Sequence, residues 1–372
     1  AVVFNKMMGV SIFQALAIAG VIIMFYIGIG GAHSDILTDG FQGALMLLLA
    51  LAVALMFWIG FDVPGGFSGM VGNLSAQDSG LVKPLSATHP VLDSKWDVFA
   101  IFLAHIPLGL LPHVGNKLWA LKNDKDQTTF ILLSFLFGMV LPCIAFGGIL
   151  ARALLGDALL AEGSSANYAI PELFIYTMPA WLAALVGAGV LAAIMSTADG
   201  LLVSTSQIFA NDIYRRSIAP RLGFDARSKN VDEVALLISR LSTVLIVVVS
   251  IYLAWVAQKS NVALFMAAGI GGMLAAISGP LFVGIFWKGT TRLGAIAGLF
   301  MGGISFLFFK LAVIEMIFGV GGGGIIVLWL VAQAVNPFAC IALGIMLSIT
   351  TVFLVSSFTE PPSEQHLRNF FN

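Results

Sequence analysis

Charge is scarce in this chain. Of its 372 residues only 10% are charged, against about 25% in an ordinary soluble domain. A water-solvated globule is therefore excluded, and a bilayer is the solvent that fits. The net charge of −1 and the lack of a basic stripe with interleaved aromatics set nucleic-acid binding aside. Cysteine is almost missing. Cys143 and Cys340 each lie in an apolar run and read as inert buried thiols rather than a disulfide or a metal pair. No nucleophile, base and orienting group occur together, which argues against an enzyme. Ala1 is not a methionine, and no charged leader precedes a short apolar core and cleavage site, so the chain is expected to be incomplete.

What is abundant is hydrocarbon, in 59% of residues. A helix needs about 20 mainly apolar residues to cross the hydrocarbon core. Nine windows meet that requirement, near 10 to 33, 36 to 61, 97 to 121, 127 to 154, 177 to 212, 233 to 257, 261 to 287, 291 to 318 and 337 to 357. A tenth apolar stretch, 325 to 335, follows four glycines and is too short to span, so it reads as interfacial or re-entrant. The remaining chain is short loop, with longer connections at 62 to 95 and 213 to 232. The expected architecture is all-α: a single polytopic membrane helix bundle over 1–372 with a tail at about 358–372.

Lys and Arg set the orientation. Twelve of the eighteen fall on one side, from Lys117, Lys122 and Lys125 through the cluster between Arg215 and Arg240 to Lys288, Arg292 and Arg368. That side is expected to be cytoplasmic, with the C terminus inside and the N terminus outside.

Polar groups within a span are costly, and an ionisable one is a functional hypothesis by default. Arg152, Lys310 and Glu315 stand near span ends, where snorkelling accounts for them. The fifth span is different. Ala193, Ser196, Thr197, Gly200 and Ser204 share one helical face, and that face is small and oxygen-bearing. It suits close helix packing, with hydroxyls bonding their own i−4 carbonyls. It equally suits half a shell for Na⁺, a hard cation that takes several oxygen ligands. Asp39, preceded by Thr38 at the head of the second span, is either an N-terminal cap or a membrane-embedded group engaged with a cation.

In the third span, "AHIPLGLLPHVGNK" places Pro107 and Pro112 around Gly109. Prolines without an N–H and an intervening glycine predict a kink or an unwound turn, and discontinuous helices at mid-membrane are where transporters bind substrates and ions. His105 and His113 flank the break with no Cys or carboxylate at ligand spacing, which favours packing or hydrogen-bonding roles.

Four segments then combine. "FYIGIGGAHSDILTDGFQGALMLL", "LPHVGNKLWALKNDK", "MPAWLAALVGAGVLAAIMSTADGLLVSTSQIFANDIYRR" and "GPLFVGIFWKGTTRLGAIAGLFMGG" occur in this order, and together they resemble the sodium/solute symporter family, as does the tail "FTEPPSEQHLRNFF". The resemblance implies the LeuT-type inverted five-plus-five helix repeat, alternating access and an integral plasma (inner) membrane protein. It implies sodium-coupled symport of a small polar or anionic solute, with Na⁺ as coupling ion and no other cofactor. The second function class is a transport-inactive membrane sensor or signalling module with the same fold. By the same resemblance the Ala193 carbonyl and the hydroxyls of Ser196 and Thr197 correspond to sodium ligands, Asp39 to a second cation or coupling position and Gln42 to the substrate pathway, to which the expected break at Pro107 and Gly109 is assigned as well. The first two spans match core helices four and five and the next five match six to ten, so the fold is expected to lack its first core helices, and the chain as written is not expected to transport alone. Pro-His is followed by Val114-Gly115-Asn116-Lys117 rather than a polar-aromatic run, which leaves the solute subgroup and the oligomeric state open.

Overall fold

The computed structural model describes residues 2–87, 89–161, 165–258, 260–319 and 324–371, with the side chains of 4, 26, 29, 32–34, 119, 192, 193, 366 and 369–371 outside the description. The main helices are α1 (Val2–Met8), α2 (Ile12–Ile59), α3 (Gly66–Gln77), α4 (Lys95–His105), α5 (Pro112–Trp119), α6 (Asp124–Val140), α7 (Phe146–Leu155), α8 (Ala169–Thr177), α9 (Ala180–Gln207), α10 (Lys229–Val256), α11 (Val262–Phe286), α12 (Arg292–Lys310), α13 (Ile325–Ala332), α14 (Pro337–Ser357) and α15 (Glu364–Phe371). No strand occurs among the described residues. By length and composition seven described helices can cross a membrane, or eight if Lys95–Leu110 and Pro112–Leu118 form one bent span; Ile12–Phe25 is a shorter apolar helix.

The first two apolar windows meet without a loop. Ser11 caps α2 in a reciprocal box with Gln14, and the helix then runs to Ile59 with one interruption, Gly31, at φ 55° and ψ −143°. Only glycine adopts that backbone without strain. The end of α2 is also fixed by glycine. Gly60 is left-handed, φ 62°, and a Cβ there would collide with the backbone of Gly66 and Phe67. The break after α4 follows from proline. Pro107 lies in a tight 3₁₀ turn, Ile106–Leu110, and Leu111 is extended with ψ 137°. The ring of Pro112 disfavours the α region at the residue before it, so α5 starts anew.

The described chain forms two compact units, Ala1–Ser79 with Pro112–Lys259, and Gly80–Leu111 with Ser260–Asn372. In the first, Val53, Met56, Met70, Leu74, Leu150, Leu173 and Phe174 pack α2, α3, α7 and α8 together. Ile23, Ile27, Leu202, Val203 and Val247 do the same for α2, α9 and α10. Helix α6 buries nothing; its Ile131, Phe135 and Met139 are exposed, as expected of a surface solvated by lipid tails. Helix α9 continues as a π-helical stretch, Ile208–Ile218, carrying Arg215 and Arg216.

The second unit is held by absent side chains. Gly294, Gly298 and Gly302 lie four apart on α12 and are buried. A Cβ on Gly302 would run into the backbone carbonyl of Ala275 in α11, and one on Gly298 into Val352 of α14. Lipid offers no hydrophobic drive between helices, so close approach through small residues supplies the attraction. Ser348 adds a hydrogen bond to the Gly298 carbonyl at 2.8 Å. Lys310 donates to the Ala334 carbonyl at 2.8 Å. In the first unit Arg152 donates to the Gly156 carbonyl at 2.6 Å and to Asp157 at 2.8 Å. Both end-of-span cations thus have structural partners.

Candidate functional site

The site lies in the first unit, where α2, α5 and α9 meet. Asp35, Asp39 and Gln42 stand at i, i+4 and i+7 of α2 and so share a face. Asp39 is pinned from two sides. Its Oδ2 pairs with the Lys117 ammonium of α5, and its Oδ1 accepts from the Ser196 hydroxyl of α9 at 2.5 Å. Lys117 also stands 3.5 Å from Asp35 Oδ2. These side chains are mostly withdrawn from solvent: 4% of Asp35, 18% of Asp39 and 29% of Lys117 remain exposed.

Helix α5 is brought to this position by its neighbours. Gly200 of α9 has no side chain, and a Cβ there would lie 3.6 Å from both Lys117 Nζ and His113 Cβ. One turn further on, Asn116 donates to Ser204 Oγ at 3.2 Å and Gln207 Oε1 at 3.3 Å. Asp199, beside Gly200, is fully buried. Three buried polar atoms here have no hydrogen-bond partner: Asp35 Oδ1, Gln42 Oε1 and His113 Nδ1. Breaking a buried ion pair by removing one partner costs roughly 3–5 kcal/mol, so the charged trio behaves as a unit. With both carboxyls ionised it carries one negative charge more than its lysine neutralises. Its oxygens suit a hard monovalent cation, and no cluster of three or more His, Cys, Asp or Glu able to hold a metal occurs among the described residues.

The structure sorts the hydroxyls that the sequence placed in one stripe. Ser196 and Ser204 face partners across the helix interface. Beyond that stripe, Thr205 and Ser206 donate to the carbonyls of Leu201 and Val203 in their own helix, which is the packing use, and Ser206 Oγ also accepts from Ser239 of α10 at 3.4 Å. Thr197 is exposed and does not join Ser196 at Asp39. Ala193 lies within α9, one turn before Ser196 and Thr197, with its side chain outside the description. Asp39 sits eight residues beyond the Gly31 break within continuous helix, so the capping role considered for it is not the one it has. Gln42 is buried on the Asp39 face. Pro107, buried, and Gly109, exposed, belong to the second unit. His105 Nδ1 donates to the Ile101 carbonyl, 2.6 Å away, and the ring stacks on Phe338, a packing role. Asp35 and Lys117 were not foreseen. In the sequence Lys117 reads only as an orientation charge; the available signal for Asp35 is its i, i+4 spacing from Asp39.

Comparison with known proteins gives a consistent result. The model of the sodium:solute symporter family matches residues 1–302. The sodium/pantothenate symporter of Haemophilus influenzae is 29% identical over 298 residues, covering 79% of this chain and 57% of that protein. Sodium/proline symporter 2 of Staphylococcus saprophyticus is 24% identical over 368 residues, covering 96% of this chain and 65% of that protein. The chain thus spans about three fifths of the length of the curated relatives it matches. Among solved structures, the substrate-bound outward-open state of a Na⁺-coupled sialic acid symporter superposes with a TM-score of 0.62 at 18% identity, over 97% of this chain and 72% of that one. The fold is accordingly the all-helical, LeuT-type fold of a multi-pass integral membrane protein, and the matching family is one of transporters rather than enzymes.

Proposed function

Since this chain belongs to the sodium:solute symporter family, we propose that the protein couples sodium entry to the uptake of a small polar or anionic solute by alternating access. The observation that carries the proposal is the meeting of Asp39 and Ser196 across α2 and α9. A carboxylate and a hydroxyl from two different spans, together within the membrane, are the kind of oxygen donors a sodium ion needs. Such groups are otherwise expensive in lipid. Ser196, with Thr197 and the Ala193 carbonyl, supplies one helix's share of a sodium shell in this reading, and Asp39 a second cation or coupling position. Gln42, Pro107 and Gly109 are assigned to the solute route. Pantothenate, proline and sialic acid, named for the similar proteins, each bear a carboxylate, which supports a solute of that class.

The test is uptake of labelled amino acids, sugars and small carboxylates into proteoliposomes holding the full-length protein, with an inward sodium gradient or with choline in its place. Sodium-dependent accumulation of one solute is expected. Sodium-induced thermal stabilisation with no accumulation of any solute would favour the sensor role and overturn the symport reading.

A further inference from the structure

Lys117 touches one carboxylate and stands close to another. Its ammonium pairs with Asp39 and lies 3.5 Å from Asp35 Oδ2. Asp35 precedes Asp39 by four residues, about 6 Å along the helix at 1.5 Å per residue, so a small swing of a four-carbon stem changes which carboxylate the ammonium serves. Asp35 is the less satisfied of the two. It is more deeply buried, and its Oδ1 has no hydrogen-bond partner. A buried carboxyl in that condition is costly unless it gains a full partner. Room exists for the movement, because Gly200 presents no side chain beside Lys117 Nζ.

We propose that Lys117 is a tethered counter-ion that rests on Asp39 when no free cation is bound and moves to Asp35 when one binds at Asp39 and Ser196. Asp35 is then a positioning residue: it never touches the free cation but accepts the ammonium that the cation displaces. The swap keeps the local charge balanced. One monovalent cation enters, the trio's excess negative charge is cancelled, and neither carboxylate is left bare. The Ser196 hydroxyl, which donates to Asp39, has lone pairs to offer once it rotates toward the cation. Besides Asp35 and Asp39, the titratable group that stands with Lys117 beside Gly200 is His113 on α5. The inference rests on the reading of Asp39 and Ser196 as a cation position.

The experiment is a double-mutant cycle on the sodium half-saturation of thermal stabilisation, measured in the full-length purified protein with potassium and choline as controls. Asp39→Asn is included to test the underlying cation reading. In the wild-type background Asp35→Asn should raise the half-saturation by about tenfold, within the usual range for coupled sites, because the ammonium has nowhere else to go. Lys117→Gln removes the competitor and should leave sodium affinity equal or tighter. In the Lys117→Gln background Asp35→Asn should change little. If Asp35→Asn weakens sodium by the same factor in both backgrounds, it acts only as a nearby negative charge and the tethered exchange is refuted. If Asp35→Asn has no effect in either background while Asp39→Asn abolishes the response, Lys117 is a fixed clamp and the exchange is again refuted, with the cation position intact. If Asp39→Asn itself leaves sodium dependence unchanged, the cation position fails. Should Lys117→Gln fold poorly, Lys117→Arg takes its place in the cycle. Its bulkier, always-charged head should compete more persistently at Asp39 and raise the sodium half-saturation, whereas an unchanged value would count against displacement.

Discussion

Asn336 donates its side-chain amide to Asp97 Oδ1 at 2.7 Å, joining the start of α14 to the capping box at the start of α4. Both residues are buried, with 4% and 6% of their surface exposed. Asp97 Oδ2 already accepts from Ser94, so the amide completes the carboxylate's shell. Asn336→Ala removes a hydrogen bond to a charged acceptor and should lower stability by about 1.5–3 kcal/mol. Thermal unfolding in detergent checks the loss. The sodium half-saturation of the surviving protein should not change, since neither residue belongs to the unit that holds Asp39.

Ser196→Ala deletes the hydroxyl that donates to Asp39 with little change of volume. If the hydroxyl is a cation ligand, the loss resembles that of a hydrogen bond to a charged group, about 1.5–3 kcal/mol, or about 10- to 150-fold in sodium affinity. Thr197→Ala tests the neighbouring exposed hydroxyl in the same way. Sodium-dependent uptake by the full-length protein is the measurement. Unchanged sodium dependence in both variants, with lowered thermal stability, would return the two hydroxyls to helix packing.

Adjacent glycines on α12 should respond oppositely to alanine. At Gly302 a Cβ collides with the Ala275 carbonyl, whereas at Gly303 it meets only the Ala276 methyl at an ordinary 3.5 Å. Gly302→Ala should therefore cost about 1–3 kcal/mol, as overpacking does. Gly303→Ala should be neutral or stabilise by up to about 1 kcal/mol through helix propensity. Comparison of the two melting curves decides whether close backbone approach holds α11 and α12 together.

Asn116→Ala should loosen α5 from α9 by removing both amide contacts, to Ser204 and Gln207. Neutral hydrogen bonds contribute about 0.5–1.5 kcal/mol each. Faster amide hydrogen exchange over 112–119 in the variant is the expected signature.

Much of this was legible in the residues. Apolar runs of bilayer length are written directly into composition, and the interruption at Leu111 follows from Pro107 and Pro112 by local sterics. Asp39 and Ser196 could be singled out because oxygen-bearing groups are rare in a greasy span. Their partnership with Lys117 could not. Counting charges for orientation treats every lysine after a span as loop, and nothing in that count distinguishes a solvated ammonium from one folded back on a carboxylate. Thr197 parts from Ser196 for a related reason. A face defined by spacing is more than 100° wide, and adjacent residues such as Ser196 and Thr197 fall on either side of the contact line. Gly31 stayed hidden because small residues are common in membrane helices whether or not the helix breaks there.

The break at Gly31 sets a lever. Asp35 lies four residues beyond it and Asp39 eight, about 6 Å and 12 Å along the axis at 1.5 Å per residue. For a pivot at that glycine, a given tilt carries the farther carboxylate twice as far as the nearer one. The two acidic groups therefore cannot travel together past a fixed point on α5, and even slight flexing of α2 changes their relative distances to it, with Asp35 as the slow arm and Asp39 as the fast one.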